Sequence, residues 1–139
     1  MSMAITTVGR PPRDYPFNSA AEMIDVMEIA ESRMRTRPLF QFIADWNWMP
    51  HRRSEMIADP PPTNSDPFLL ASLVSVVHAL CDRDGISVPD WVTGVCIEEE
   101  RTLSGLSVDS RFGQVVKRKA PAVCSEHGVY FEADEISRD

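Results

Sequence analysis

Two short pairs of side chains in this sequence have the chemistry of zinc ligands. His78 and Cys81 are three residues apart, and Cys124 and His127 are also three apart. Together they supply the four nitrogen and sulfur groups of a tetrahedral zinc site. Common finger and ribbon sites instead pair Cys with Cys and His with His. We favour the alternative in which Cys81 is a small core residue and His78 lies on a polar stripe. A zinc-stabilised interaction domain is the second alternative function. In the leading interpretation we expect no metal and no other cofactor.

An acidic run follows the first of these pairs and could bind calcium. Asp82 and Asp84 have the spacing of the first two ligands of an EF-hand loop, and Gly85 follows them. Such a loop also needs oxygen ligands at its fifth and twelfth positions. Counted from Asp82, those positions are Ile86 and Thr93, which supply no side-chain oxygen and no bidentate carboxylate respectively. We therefore interpret this run as a solvated helix end.

No complete catalytic arrangement is present in the sequence. Cys124 and His127 are the nearest approach to a Cys-His pair, but no signature of a third, orienting group surrounds them. Glu98, Glu99 and Glu100 are consecutive, so in a helix they would point in different directions and would not form an acid-base pair. Six scattered glycines exclude a P-loop or dinucleotide fingerprint. We expect no enzymatic activity.

The elements that position these residues are predicted to be mainly helices. The spacing of Ser19 and Glu22 predicts a capping box and a helix running to about Thr36. Pro38 begins a second helix over 38–48, on which apolar residues recur every three or four positions. A further short helical piece is predicted over 52–58.

The most apolar segment, 67–83, is predicted to be a central helix covered by its neighbours. Asp66 and Pro67 are suited to begin it, and Gly85 is suited to end it. Its few polar residues form a narrow stripe: Ser72, Ser75, His78 and Asp82.

The remaining elements are shorter. Pro89 begins a short helix that returns Trp91 to the core. A helix over 109–119 directs Phe112, Val115 and Val116 inward. The apolar residues 129–131 predict a short strand. The fold class is therefore mainly α: a single compact helical domain with a central apolar helix and a short C-terminal β-strand or hairpin.

The chain divides into an arm and a domain. Residues 1–17 predict an extended or mobile arm, because they contain Gly and Pro and little periodicity. Residues 18–139 predict a single helical domain. It is interrupted by a proline-rich break at 59–67, where three consecutive prolines favour a stiff spacer.

Charge and cysteine usage limit the classes of partner. The net charge is −7, and residues 71–139 carry 12 acidic and 7 basic side chains, a net of −5. This balance suits a basic protein partner or simple solubility, and it does not favour phosphate backbones. The N-terminus has no apolar signal core, no window reaches the length of a membrane span, and the three cysteines are widely spaced. We expect a cytoplasmic protein without disulfides or membrane contacts.

Nucleic-acid binding is the first alternative to protein binding. The helices over 38–48 and 52–58 are close enough to form a helix-turn-helix, although the connection lacks the usual glycine. Arginines that could face phosphates are Arg33, Arg35, Arg37, Arg52 and Arg53. Helix-dipole stabilisation and solvation explain these arginines more simply. Candidate contacts for a protein partner are Trp48, Glu98, Glu99 and Glu100, because Trp is enriched at binding hot spots and the carboxylates suit a basic surface.

The second half of the chain, about residues 67–136, resembles small actinobacterial proteins of toxin–antitoxin and abortive-infection gene pairs. Five short motifs carry the resemblance: Ala79-Leu80, Asp82-Arg83-Asp84-Gly85, Pro89-Asp90-Trp91-Val92, Ala120-Pro121 and Gly128-Val129-Tyr130-Phe131-Glu132.

The resemblance implies a non-enzymatic, antitoxin-like function. Such proteins often accompany a nucleotidyltransferase-like toxin, and several carry an N-terminal DNA-binding domain. The resemblance therefore implies that this chain binds a partner protein and neutralises or regulates it. The partner that it implies is a basic toxin encoded by the adjacent gene. No catalytic residue carries over. Because this chain lacks a well-formed helix-turn-helix, the resemblance does not extend to DNA binding.

Overall fold

The computed structural model describes residues 16–31 and 34–137, and the predicted arm at 1–17 lies almost entirely outside these residues. The mainly α class is confirmed by a helix-rich fold with one small sheet. The helices are α1 (Ala20–Glu28), α2 (Pro38–Trp48), α3 (Arg53–Met56), α4 (Pro67–Asp84) and α5 (Arg111–Arg118). The strands are β1 (Arg101–Thr102) and β2 (Val129–Tyr130). Short 3-10 helices cover Pro50–Arg52, Asp90–Val92, Ala122–Glu126 and Ala133–Glu135. None of the helices in these described ranges is long and apolar enough to cross a membrane.

The first helix is shorter than its pattern predicted. The capping box at Ser19 and Glu22 is present, but α1 ends at Glu28 and not near Thr36. The last buried residue of α1 is Met27, and Ile29, which follows the helix, is 85% exposed. Arg35 and Arg37 therefore lie beyond the end of α1, although the predicted helix to about Thr36 would have placed Arg35 in its last turn.

The second helix has the predicted bounds, and its periodic face is buried. Leu39, Phe42, Ile43 and Trp46 are all at most 3% exposed. After a 3-10 turn, α3 adds only one helical turn, which agrees with the short helical piece predicted there. Residues 57–66 then form no helix or strand.

The apolar segment 67–84 forms the longest helix among the described residues, and its predicted ends are confirmed. The Asp66 carboxylate accepts hydrogen bonds from the amides of Phe68 and Leu69 at 2.9 and 3.1 Å. Gly85 ends α4 in the left-handed region, with φ of 69°. Eleven of the 18 residues of α4 are buried, and the helix contacts α1, α2, β2 and the 122–126 segment.

The polar stripe of α4 faces the C-terminal segment of the chain. Ser72 and Ser75 are fully buried. The Ser75 hydroxyl donates to the Val129 carbonyl at 2.8 Å, and the Ser72 hydroxyl donates to the Phe68 carbonyl at 2.8 Å. Hydrogen bonding removes the cost of burying these hydroxyls and ties α4 to β2.

The predicted C-terminal strand is confirmed, but the hairpin alternative is wrong. β1 and β2 are parallel, with Arg101 opposite Val129 and Thr102 opposite Tyr130. Parallel strands need a crossover connection rather than a tight turn. Here α5 and the 122–126 segment form that crossover.

The orientation predicted for α5 is wrong at one residue. Phe112 was predicted to point inward but is 55% exposed, whereas Gly113 and Val116 are buried. A Cβ atom placed on Gly113 would lie 2.2 Å from the Ser107 carbonyl oxygen. This close approach turns the Gly113 face of α5 toward the preceding loop and leaves Phe112 at the surface.

Candidate functional site

The structure brings two of the four candidate zinc ligands together, but as a hydrogen-bonded pair. His78 Nδ1 and His127 Nε2 are 2.8 Å apart, and the rings meet edge to face. Across residues 16–31 and 34–137 there is no group of three or more His, Cys, Asp or Glu side chains that could hold a metal ion. The zinc alternative, with His78, Cys81, Cys124 and His127 as ligands, therefore lacks an assembled site.

The hydrogen-bond partners define the tautomers of the two histidines. His127 Nδ1 lies 2.7 Å from the Val95 carbonyl, which only accepts, so this nitrogen carries the proton. In the neutral ring its Nε2 then accepts, and His78 Nδ1 donates to it. Burial lowers the pKa of His127 and outweighs the opposing effect of the Val95 carbonyl.

Both cysteines of the same candidate site are buried. Cys124 is fully buried, and burial raises the pKa of its thiol. Burial, with a smaller effect from Asp84, raises the pKa of Cys81 to about 11. Because the thiolate is the nucleophile, neither thiol is activated for nucleophilic attack at neutral pH.

Asp84, part of the rejected calcium motif, has a structural role at the end of α4. Its carboxylate accepts a hydrogen bond from Trp46 Nε1 at 2.7 Å and forms ion pairs with Arg83 at 2.8 Å and Arg53 at 3.3 Å. These partners, first of all the hydrogen bonds from Arg83, lower the pKa of Asp84. The neighbouring Asp82 is exposed, as expected for a solvated helix end.

Two of the arginines proposed to face nucleic acid, Arg52 and Arg53, are engaged within the fold. Arg52 pairs with Glu55 at 3.1 Å, and Arg53 donates to the Trp46 carbonyl at 2.8 Å in addition to its ion pair. α3 is only four residues long, too short to act as a recognition helix. Arg37 is the N-cap residue of α2, and Arg33 lies outside the described residues. The described residues therefore do not support the DNA-binding alternative.

The candidate acidic contacts line one surface depression. Glu98, Glu99 and Glu100 border it together with Asp109 and Glu126, and its volume is about 410 Å³. Glu98 and Glu99 are exposed. The three carboxylates thus share a surface, as a contact with a basic partner requires.

Two of the candidate contact residues are held by neighbours. Glu100 forms an ion pair with Lys117 at 2.9 Å and accepts a hydrogen bond from the Tyr130 hydroxyl at 2.8 Å. These two hydrogen bonds, that from Lys117 first, lower the pKa of Glu100. Trp48 is half-buried and interacts with the surrounding fold. Trp48 is therefore less suited to contact a partner than an exposed aromatic residue.

Two exposed aromatic side chains of the described residues line one apolar groove. Phe40 of α2 is 41% exposed and Phe112 of α5 is 55% exposed. Both line a groove of about 350 Å³, whose lining includes the buried side chains of Leu103, Val116 and Phe131. We call this feature the Phe40–Phe112 groove. Exposed aromatic residues beside a concave apolar surface are typical of protein-binding hot spots.

Charged residues border the same groove. Arg37, Glu132 and Glu135 line it, and its one tyrosine, Tyr130, directs its hydroxyl to Glu100. The apolar part of the lining consists of Phe40, Leu103, Phe112, Val116 and Phe131, so the groove offers an apolar surface. Tyr130 also joins the two surfaces, because its side chain lines the groove and its hydroxyl contacts the acidic depression.

Sequence reasoning missed both aromatic residues of the groove. Phe40 was left without a role because it lies outside the face of α2 formed by Leu39, Phe42, Ile43 and Trp46. An apolar residue off the buried face of a helix is a signal of a surface contact, and this signal was available. Phe112 offered no such signal, because its orientation depends on a contact outside its own helix.

Comparisons with protein families, with curated protein sequences and with solved structures find no match to this chain. The antitoxin-like function implied by the motifs of residues 67–136 therefore stays a prediction.

Proposed function

We propose that this chain is a non-enzymatic, antitoxin-like protein that binds and neutralises or regulates a partner protein in the cytoplasm. In this proposal it is a single domain organised around α4, which holds α2 and β2 in place. The observation that carries the proposal is the Phe40–Phe112 groove. Exposing two aromatic side chains of an apolar cleft to water to this extent is unfavourable in free energy. Burying them in a protein interface is favourable.

The charge around the groove indicates the chemistry of the partner. Glu132 and Glu135 line the groove, and the depression at Glu98, Glu99 and Glu100 adjoins it across Tyr130. A partner that matches these surfaces has an apolar or aromatic anchor surrounded by Lys or Arg. Such charge complementarity speeds association and selects the partner more than it adds affinity.

The test is binding to the product of the adjacent gene, with Phe112→Asp as the disruptive variant. We expect the wild-type chain to co-purify with that protein and to suppress its toxicity. A charge in the centre of the interface is expected to weaken binding by at least about 30-fold, the equivalent of 2 kcal/mol at a hot spot. Leu106→Asp is the matched control, because Leu106 is 46% exposed but does not line the groove.

Three results decide between the possible occupants of the groove. Loss of binding with Phe112→Asp and retention with Leu106→Asp support the proposal. Equal binding by both variants contradicts it. A wild-type dimer that Phe112→Asp converts to a monomer, measured by light scattering after gel filtration, assigns the groove to a second copy and also contradicts the proposal.

A further inference from the structure

A small pocket next to the groove holds two arginines whose arrangement is not explained by the fold. It has a volume of about 250 Å³ and lies between the turn that precedes α2, the start of α4 and the 102–105 turn. Its charged and polar lining residues are Arg35, Thr36, Asp66, Arg101 and Ser104. The volume is below the roughly 300–1,000 Å³ of sites that enclose whole small molecules, so it suits a compact group.

Arg35 is the unusual residue of this pocket. Its Nε atom is buried and has no hydrogen-bond partner within the described part of the chain. Arg35 also forms no ion pair with those residues, although its side chain is charged at any physiological pH. Native proteins rarely leave a buried donor unpaired unless a water molecule or an ion completes it. A water molecule would satisfy the Nε–H group but would leave the positive charge without a counter-charge.

Arg101 places a second guanidinium group on the same pocket. It lies over the Phe68 ring, 5.5 Å from the ring centroid, and this stacking restrains its orientation. Its ion pair with Glu99 is at the surface, since the two side chains are 41% and 80% exposed. A surface pair of this kind contributes little to stability and exchanges readily for another anion.

The 102–105 turn adds a neutral donor. Gly105 donates its amide to the Thr102 carbonyl at 2.8 Å and has φ of 94°, which closes the turn. Thr102 Oγ1 accepts from the Leu106 amide at 3.2 Å and lies 2.8 Å from Ser104 Oγ. If the Thr102 hydroxyl donates to Ser104 Oγ, the Ser104 proton is left to donate into the pocket.

The carboxylate that lines the pocket, Asp66, forms no ion pair with Arg35 or Arg101. One of its two oxygens, Oδ1, accepts hydrogen bonds from the amides of Phe68 and Leu69 at the start of α4. The pocket therefore carries two positive charges and one negative charge, and the negative charge is partly balanced by the helix N-terminus.

We propose that this pocket binds an oxyanion, either a phosphate or a carboxylate group, through Arg35 and Arg101 with Ser104 as an additional donor. The planar guanidinium group matches the paired oxygens of both anions. The proposal does not rest on the protein-binding function, because Arg35 and Arg101 do not line the Phe40–Phe112 groove and anion binding requires no partner protein. It predicts a saturable response to a free small anion.

The experiment follows the Arg35 Nε–Hε resonance of the full-length chain by NMR during titration. Separate titrations use sodium phosphate, sodium acetate and sodium chloride at matched ionic strength. We expect this resonance to shift and saturate in the millimolar range with phosphate, acetate or both, and to stay unchanged with chloride. A response to phosphate alone assigns a phosphate group, and a response to acetate alone assigns a carboxylate. An equal response in all three salts, or none in any, overturns the proposal.

Thermal unfolding of two variants provides the second readout. Arg35→Met keeps the apolar stem and removes the unpaired charge, so its melting temperature in chloride should equal or exceed that of the wild type. It should also lose the rise in melting temperature that the binding anion causes. Arg118→Met is the matched control, since Arg118 is exposed on α5 and does not line the pocket, and it should keep that rise. An Arg35→Met variant that keeps the full rise contradicts the site.

Discussion

The contact between Trp46 and Asp84 allows a quantitative test of whether the acidic end of α4 is structural. Trp46 is fully buried, and its indole N–H donates to the Asp84 carboxylate at 2.7 Å. Trp46→Phe removes this donor and part of the ring while leaving an aromatic side chain in the core. Asp84 keeps its ion pairs with Arg53 and Arg83, so among the contacts of this carboxylate the variant removes only the hydrogen bond from the indole.

The expected loss follows from two contributions. A hydrogen bond to a charged group contributes about 1.5–3 kcal/mol to stability. The apolar surface lost from the indole contributes roughly 1 kcal/mol more. The sum, about 3 kcal/mol, is below the 5–15 kcal/mol that is typical of a whole domain, so the variant should still fold. The melting temperature is expected to fall by roughly 6–12 °C.

The assay is a double-mutant cycle by urea unfolding. Trp46→Phe, Asp84→Ala and the double variant are compared at pH 7, and unchanged m-values verify that the unfolded state is the same. We expect a coupling free energy of about 1–2 kcal/mol between the two positions. Trp91→Phe is the comparison for a weaker bond, since Trp91 is only partly buried and donates to the Ile57 carbonyl at 3.2 Å.

Acidification provides an internal control for the same cycle. The pKa of Asp84 is lowered first by Arg83 and also by Trp46, from an ordinary value of 3.8. The stabilisation that comes from a lowered carboxyl pKa is present when the pH is above the pKa of that group in the unfolded chain. It is lost as the pH falls through the pKa of the group in the folded chain. The difference in the free energy of unfolding between the wild type and Trp46→Phe should therefore become smaller at acidic pH. A coupling below about 0.3 kcal/mol at pH 7, which is the level of independent sites, would refute a stabilising role for this bond.

Two further predictions concern the buried histidine and the glycine of α5. Burial lowers the pKa of His127 below 6.5, so below that pH the unfolded chain binds a proton that the folded chain does not. The free energy of unfolding, measured by urea titration, should thus fall as the pH is lowered below about 6.5, and His127→Gln should flatten this dependence relative to His78→Gln. Gly113→Ala should cost at least about 2 kcal/mol, because its Cβ would overlap the Ser107 carbonyl oxygen, whereas Arg118→Ala on the same helix should change stability by less than about 0.5 kcal/mol. Near-equal stabilities of these two α5 variants would contradict the close approach.

Features encoded by neighbouring residues could be predicted from the sequence. Asp66 and Gly85 mark the ends of α4 because capping and the left-handed conformation depend on local geometry. The face of α2 was predictable because Leu39, Phe42 and Trp46 follow the helical period. These local signals were sufficient for the class of fold.

The candidate site depends on contacts between distant residues, and these could not be predicted from spacing. The pairing of His78 with His127 joins positions 49 apart, and the parallel register of β1 and β2 has no local signal. Phe112 is exposed because Gly113 packs against a loop, not because of its own helical phase. The unpaired Nε atom of Arg35 likewise becomes visible only when its surroundings are known.

The construction of the Phe40–Phe112 groove has a consequence for the lifetime of the chain. Residues of α2, α5 and the segments around Leu103 and Phe131 line it, and the Thr36 hydroxyl donates to the Leu103 carbonyl across 67 residues of sequence. An unfolded chain therefore has no groove, and any ligand that contacts these separate segments together binds the folded form alone. By mass action, such a ligand at a free concentration 100 times its Kd stabilises the fold by about 2.7 kcal/mol. Proteolytic turnover of the chain would then decrease as its ligand accumulates.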